Sequence, residues 1–345
     1  MTPRASALVL AAGLVASGQA CAPTAGADHA DVAPLPVRLA DTGLHAAGAV
    51  DVLAAGVRPF SPQYPLWTDG ATKRRWIYLP PGAAIDATDP DAWVFPVGTR
   101  LWKEFAFDRP VETRMIERVA DGSWRFAAYL WDGDGADAVL VPGGAAVDVG
   151  GGPPHEVPAV GDCRLCHDGP TPVLGFAALQ LSPDRDPAAP NAEPVPAGAV
   201  DLPALAASGQ LVGLPPAYLV TPPRIAARSP TERAALGYLH GNCGGCHDDR
   251  GALAELGLDL RHALDEPGGA TDPAVRTTLG RIGRAPLPGD PDAARVRIAP
   301  GAPDASVLLA RVRSRDPQHQ MPPLGTRRTD AAAVALLARW ITELD

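Results

Sequence analysis

The sequence predicts an α+β multidomain protein: an N-terminal antiparallel β-rich sandwich or barrel, then a loop-rich segment, then an all-α C-terminal domain. Three observations carry that expectation. Between positions 72 and 141, six strand-like runs follow one another with turns and no helices between them. Glycine (36) and proline (39) are frequent in the 345 residues, so much of the chain is turn and ordered loop. Helical signals sharpen only after Ser229, where capping residues and helical spacing coincide.

The elements then follow in order. Met1-Thr2-Pro3-Arg4 is a positive start, Ala5 to Ser17 a short apolar run, and Gly18-Gln19-Ala20 leads to Cys21. Residues 1–20 therefore read as an export signal peptide. Cys21 is the odd cysteine and a candidate for lipid attachment, although Gly18 stands where a lipoprotein box usually carries leucine. Residues 21–36 are small and polar, a flexible tether. The β-rich domain spans 37–150. Within it, Asp51 to Ala55 is expected as one helical turn, and the strand runs are Thr72–Leu79, Ala92–Phe95, Arg100–Phe107, Val111–Val119, Ser123–Trp131 and Ala136–Val141. Asp121-Gly122 marks a hairpin. Six tryptophans fall here and are expected to pack the core. Residues 151–226 form the loop-rich segment, with no strong helix before Cys163. In 227–345, Ser229-Pro230-Thr231-Glu232 is a capping box opening a helix into Cys243. Asp304 to Arg313 reads as another helix, and Thr329 as the N-cap of a last one over about 330–344.

The chemistry sits in two pentapeptides, Cys163-Arg164-Leu165-Cys166-His167 and Cys243-Gly244-Gly245-Cys246-His247. Cys-x-x-Cys-His is the c-type haem attachment signature. Two thiols three positions apart on one helical turn can each form a thioether to a haem vinyl group, and the adjacent imidazole then serves as proximal iron ligand. Gly244 and Gly245 would leave room for the porphyrin. Thioredoxin-like dithiol chemistry needs a strand–helix framework that neither copy has. A four-thiolate zinc site would leave both histidines unexplained. Two covalently attached c-type haems are therefore expected, one on Cys163, Cys166 and His167 and one on Cys243, Cys246 and His247.

For the second haem, Met321 in Gln320-Met321-Pro322-Pro323-Leu324-Gly325 is the expected further iron ligand, its loop stiffened by two prolines. His319 beside it reads as a surface residue. For the first haem there is no such loop. Met115 alternates with Val111, Thr113 and Val119 and reads as core. His155, eight positions before Cys163, spans up to roughly 26 Å and is the leading candidate for the first iron. An open iron is the alternative, and His240 reaches it only if the two haem segments pack face to face. Asp248-Asp249 reads as an exposed acidic turn.

Residues from about Ser229 to Ile341 resemble a class I cytochrome c domain, through Cys-Gly-Gly-Cys-His, Pro300-Gly301, Met321-Pro322-Pro323-Leu324-Gly325 and Arg339-Trp340-Ile341. More of the chain resembles a family of exported bacterial proteins with a β-rich region before paired haem motifs. The matching pieces are Tyr64-Pro65-Leu66-Trp67-Thr68-Asp69-Gly70, Phe95-Pro96-Val97-Gly98-Thr99, Cys163 to His167 and Leu174-Gly175-Phe176. The resemblance implies an exported dihaem cytochrome, periplasmic or anchored to the outer membrane by a lipid on Cys21. An electron carrier between redox proteins is expected ahead of a catalyst. The alternatives are a dihaem peroxidase-like enzyme with an open site on the first haem, and an electron-accepting module for a partner dehydrogenase. The formal charge of −9 and the lack of a basic stripe exclude nucleic acid as a partner. Only two lysines exist, Lys73 and Lys103, so no lysine-rimmed docking face is expected.

Overall fold

The computed structural model describes residues 33–264, 272–290 and 295–345; the export signal, Cys21 and most of the tether lie outside them. The order of elements is β1 (His45–Ala46), β2 (Ala49–Leu53), β3 (Val57–Pro59), β4 (Thr72–Tyr78), β5 (Ile85–Asp86), β6 (Arg100–Ala106), β7 (Pro110–Arg118), β8 (Trp124–Trp131), β9 (Ala138–Leu140), β10 (Ala145–Val147) and β11 (His155–Val157). There follow α1 (Val160–His167), α2 (Leu202–Ala207), β12 (Leu211–Val212), α3 (Ala217–Val220), α4 (Pro230–Asn242), α5 (Pro273–Thr278), α6 (Val307–Arg313) and α7 (Ala331–Thr342).

The centre of the molecule is one antiparallel sheet in the order β3-β4-β6-β7-β8-β9. Its strands form because β-branched and aromatic residues alternate in them. The register sets Trp76, Trp102, Met115 and Ala127 in one cross-strand row, and Ile77, Leu101, Ile116 and Phe126 in the next. Successive residues point to opposite faces, so the first row meets Leu39 and Leu44 from the preceding chain. The second row meets Val173, Phe176, Leu181 and Leu202 from the segment after α1. Met115 is buried on the first face, as expected for a core residue. Trp102 is 1% exposed, and its truncation to Ala would cost roughly 3–5 kcal/mol.

The expected sandwich or barrel is not formed. The sheet is open, and what covers it is Pro- and Gly-rich chain rather than a second sheet, because the remaining strands reach only two or three residues before a turn, apart from β2. The all-α, class I cytochrome c-like C-terminal domain is also overturned. Among the described residues of 227–345 there are four α-helices, α4 to α7, and the chain between them makes the bridges Leu279↔Ile298, Ile282↔Val296 and Leu287↔Asp290. The apolar faces of α4 and α7 share a core with Tyr64, Leu179 and Ala189 from earlier in the chain. Those faces are completed by other parts of the molecule, so the helices do not close on one another as an all-α unit.

Smaller corrections have local causes. The helical turn expected over Asp51 to Ala55 is not formed; Asp51 to Leu53 belong to β2, because Gly48 at φ +76° reverses the chain and pairs it with β1. Ala92–Phe95 makes only the bridge Asp86↔Val94, cut short by Pro96. The last helix is capped by Asp330, which accepts from the Ala333 N–H at 3.0 Å, and not by Thr329. Ser229 caps α4 as expected, accepting from the Glu232 N–H at 3.1 Å. Among the described residues no helix is long and apolar enough to cross a membrane.

Candidate functional site

The first Cys-x-x-Cys-His lies inside α1. The helix opens two residues after Pro158, and Asp162 accepts from the Ala159 N–H at 3.0 Å. That carboxylate at the third helical position, accepting from the N-cap N–H, is the signal by which the helix was legible and missed. None of its eight residues is buried, and Leu165 is 67% exposed. So short a helix is marginal without packing. It leans on the sheet through His167, whose ring centroid is 5.5 Å from that of Phe126.

His167 is held in one tautomer. Its Nδ1 lies 2.6 Å from the Pro172 carbonyl oxygen, which can only accept, so the proton is on Nδ1. Burial lowers its pKa, so the ring is neutral. Nε2 therefore carries a free lone pair. This is how a metal-ligating imidazole is normally oriented.

The second motif continues the last turn of α4. The N–H of Cys243 bonds Leu239 O at 2.8 Å, that of Cys246 bonds Cys243 O at 3.1 Å, and that of His247 bonds Cys243 O at 2.9 Å. His247 Nδ1 is buried without a partner, and burial with nearby Arg311 and Arg297 lowers the pKa of the ring. Gly244 and Gly245 serve packing of the chain itself rather than an opening for porphyrin. A Cβ on Gly244 would lie 2.8 Å from His240 O, and one on Gly245 would lie 3.1 Å from Leu174.

A strap from the β-rich part fixes this motif. Gly237 and Gly241 leave α4 bare where Tyr64 crosses it, since a Cβ on Gly241 would stand 2.4 Å from the Tyr64 carbonyl oxygen. Beyond it, Trp67 N–H donates to Asn242 Oδ1 at 2.7 Å, and its indole N–H to Arg328 O at 3.0 Å. Asp69 accepts from the N–H groups of Arg327 and Arg328, both at 2.8 Å. The strap thus joins the end of α4 to the loop carrying Met321. The Met321 N–H bonds Arg311 O at 3.0 Å, and Gln320 Nε2 donates to Pro322 O and Pro323 O, each at 3.2 Å. Arg311 is bonded to Met321 through its carbonyl and felt electrostatically by His247.

The two motifs, 80 positions apart, meet. The thiols of Cys166 and Cys246 lie close enough to act on each other's ionisation. That contact pulls Cys166 down to about 7 and holds Cys246 up. Burial pushes Cys243 up to about 12 and also raises Cys163. Leu174, seven residues after His167, packs on Gly245 and closes the same junction.

His155 lies on β11 with its Nε2 2.8 Å from Glu112 Oε2, and its ring beside those of Phe105 (5.7 Å) and Phe107 (5.6 Å). Glu112 also holds Arg114 in a two-point bond at 2.5 and 3.0 Å. To reach an iron, His155 would have to give up Glu112. His240 Nδ1 accepts from the His262 N–H at 3.2 Å, which places its proton on Nε2, and burial brings its pKa to about 3. Asp248 is buried and accepts from the Arg250 N–H at 2.9 Å, so it caps a turn, while Asp249 faces solvent and pairs with Arg261 at 3.1 Å. His319 is at the surface beside Asp316.

The residues present fit a bulky group that bears carboxylates. Besides His247 Nδ1, the buried donors Arg311 Nε, Arg315 Nε, Thr326 Oγ1 and Trp340 Nε1 lack partners, all on or next to α6, α7 and the Met321 loop. Buried polar groups are normally satisfied, so these orphans leave donors that a polar partner from outside the chain would meet, although eight other orphaned atoms, such as Trp93 Nε1 and Arg233 Nε, lie elsewhere among the described residues. Among the described residues no three His, Cys, Asp or Glu side chains converge as a bare metal ion would require. A cleft of 440 Å³ between Arg58, Tyr78 and Gln210 is lined by no thiol or imidazole. Compared with protein-family models, with curated proteins and with solved structures, the chain gives no match in any of the three.

Proposed function

We propose that the chain is an exported dihaem c-type cytochrome that transfers electrons between redox proteins. One haem is attached through Cys163 and Cys166 with His167 as iron ligand, the other through Cys243 and Cys246 with His247. The observation that carries the reading is His167. It follows a Cys-x-x-Cys on one helical turn, and its Nδ1 is tied to a backbone carbonyl at 2.6 Å, which leaves Nε2 free. When bound, haem supplies a one-electron iron couple.

The chain's own residues attach, orient and shield. Tyr64 to Asp69 and Gln320 hold the Met321 loop beside Arg311 and so offer the thioether sulfur as second ligand to the iron of His247. The donors of Arg311 and Trp340 are free to receive carboxylates. His155 is engaged with Glu112, which favours a first iron whose second position is not filled by that ring. A lipid on Cys21 would tether the protein to a membrane from the periplasmic side.

The contact of Cys166 with Cys246 favours a second reading, thiol–disulfide chemistry across the two motifs. One experiment separates them. The chain is exported in a bacterial host that matures c-type cytochromes, denatured, and weighed intact. Two haems that survive denaturation and acid–acetone extraction support the cytochrome. A haem-free chain with a Cys166–Cys246 disulfide would replace it with the thiol reading.

A further inference from the structure

The chain's only two lysines both point to the same side of the sheet as His167. The register places Arg75, Lys103, Arg114 and Ala128 in one cross-strand row, next to the row that ends in Phe126 under the His167 ring. The row beyond it holds Lys73, Phe105, Glu112 and Leu130. Two residues along a strand are ~7 Å and neighbouring strands ~4.8 Å apart, so Arg114, one strand over from Phe126, begins about 8 Å and Lys103, two strands over, about 12 Å from the spot on which His167 rests, both within reach of a haem lying on this face.

These rows are out of charge balance. Lys73 and Arg75 share Glu193, with Lys73 at 3.2 Å from it, and Arg114 takes Glu112. Lys103 takes none. Its ammonium makes no hydrogen bond or ion pair among the described residues, and lies 4.7 Å from the Phe105 ring centroid, over which Arg114 also sits at 4.3 Å. Two cations on one ring with one carboxylate between them leave a positive charge unanswered. Burial, then the charges of Arg75, Lys73 and Arg114, hold the Lys103 pKa well below its ordinary value. Its charge and that of Arg114 are both felt at His167, and that of Arg114 also at Cys163 and Cys166. An isolated buried cation is costly, and an anion beside it removes the cost.

We infer that Lys103, seconded by Arg114, receives a propionate carboxylate of the haem attached at Cys163 and Cys166. The inference rests on the proposed cytochrome reading and deepens it. The sheet then serves the first haem as an electrostatic floor, and Glu112 with His155 positions Arg114 for that task. A positive charge beside a haem favours the reduced iron, so the floor raises the potential of the first centre relative to a neutral one.

The test is a redox titration of the purified dihaem protein, with the second haem as internal reference. Lys103→Gln lowers the potential of the first haem and leaves the second unchanged, while Lys103→Arg keeps the wild-type value. An unchanged first potential in Lys103→Gln, or the same drop in Lys103→Arg, overturns the inference. A first haem that turns from low-spin to high-spin in Lys103→Gln overturns it too, because the amine is then an iron ligand. If Lys103→Gln does not load its first haem, Lys103→Arg decides: wild-type loading and potential support the inference, and loss refutes it. A wild-type chain without haem on Cys163 and Cys166 is the failure of the cytochrome reading itself, seen by mass before any titration.

Discussion

The same pentapeptide signature is supported in two different ways in this molecule. The second copy ends a 13-residue helix with eight buried residues, packed on α7 and crossed by the Tyr64 strap. The first copy is carried by an eight-residue helix with no buried residue, resting on a sheet face that turns from apolar to cationic beneath it. The chain builds one seat from its own core. On the proposed reading, it leaves the other to be completed by the haem attached there. The difference teaches that the same pentapeptide can sit in a seat already built by the core or on one left open, and that the surrounding residues, not the motif, decide which.

Removing the thiols in pairs breaks the comparison most directly. Cys163→Ala with Cys166→Ala, and Cys243→Ala with Cys246→Ala, should each leave one covalent haem by intact mass. Their effects on order should differ. Without the first haem, amide hydrogen exchange over 160–174 should speed up many-fold, because no buried side chain holds α1. Without the second, α4 should stay protected over Glu232 to Leu239, which are all buried. Equal loss of protection in both variants would show that the seats are alike.

Met321→Ala comes next and touches only the second seat. Its ferric Met/His charge-transfer band should vanish and the potential of that haem should fall, while the first haem is unaffected. A band that persists would assign the ligand to another residue and would leave Met321 as packing for its loop.

Gly241→Ala tests whether the second seat is as rigid as its burial suggests. Helix propensity alone would reward the change by about 1 kcal/mol. The new Cβ would stand 2.4 Å from a backbone oxygen of Tyr64, which cannot move aside without displacing the strap. Overpacking of this kind costs ~1–3 kcal/mol or more, so a net loss of ~2 kcal/mol is expected in urea unfolding. A more stable Gly241→Ala would mean that the strap yields.

How much of this was legible in the sequence follows the range of the forces involved. The strands β4, β6, β7 and β8 were readable because alternation of apolar residues is local, and so were the Ser229 cap and Met115 as core. The C-terminal all-α domain was misread because the apolar stripes of α4 and α7 looked self-sufficient. Nothing local to them announces that Tyr64 and Leu179 will fill the same core. The glycines of the second motif were assigned to the porphyrin, whereas Arg261 and Leu174 occupy the space they leave. Glu112, Lys103 and Arg114 were passed over as ordinary strand charges. Their only sequence signal is charge at positions whose neighbours two residues away, Leu101, Phe105 and Ile116, face inward. The encounter of Cys166 with Cys246 has no sequence signal, since it depends on two chain segments 80 positions apart.

A last expected effect, dependent on pH, concerns the joint between the sheet-side segment and the second seat. Asp91 Oδ2 accepts the Leu264 N–H at 2.7 Å, which ties the loop after β5 to the chain near His262. Burial outweighs that bond and the attraction of Arg261, and raises the Asp91 pKa from 3.8 to about 6. Because the folded state holds this proton more tightly than the unfolded chain, stability contributed here is present at low pH and is lost as pH rises through the interval between those values. The loss is on the order of 3 kcal/mol. Asp91→Asn keeps an oxygen for Leu264 but has no proton to release. The variant should therefore match wild type near pH 4 and exceed it by on the order of 3 kcal/mol near pH 7 in urea unfolding. If it is instead weaker at neutral pH, the carboxylate is stabilised by Arg261 more than it is penalised by burial, and the joint between the two regions is an ion pair rather than a single hydrogen bond.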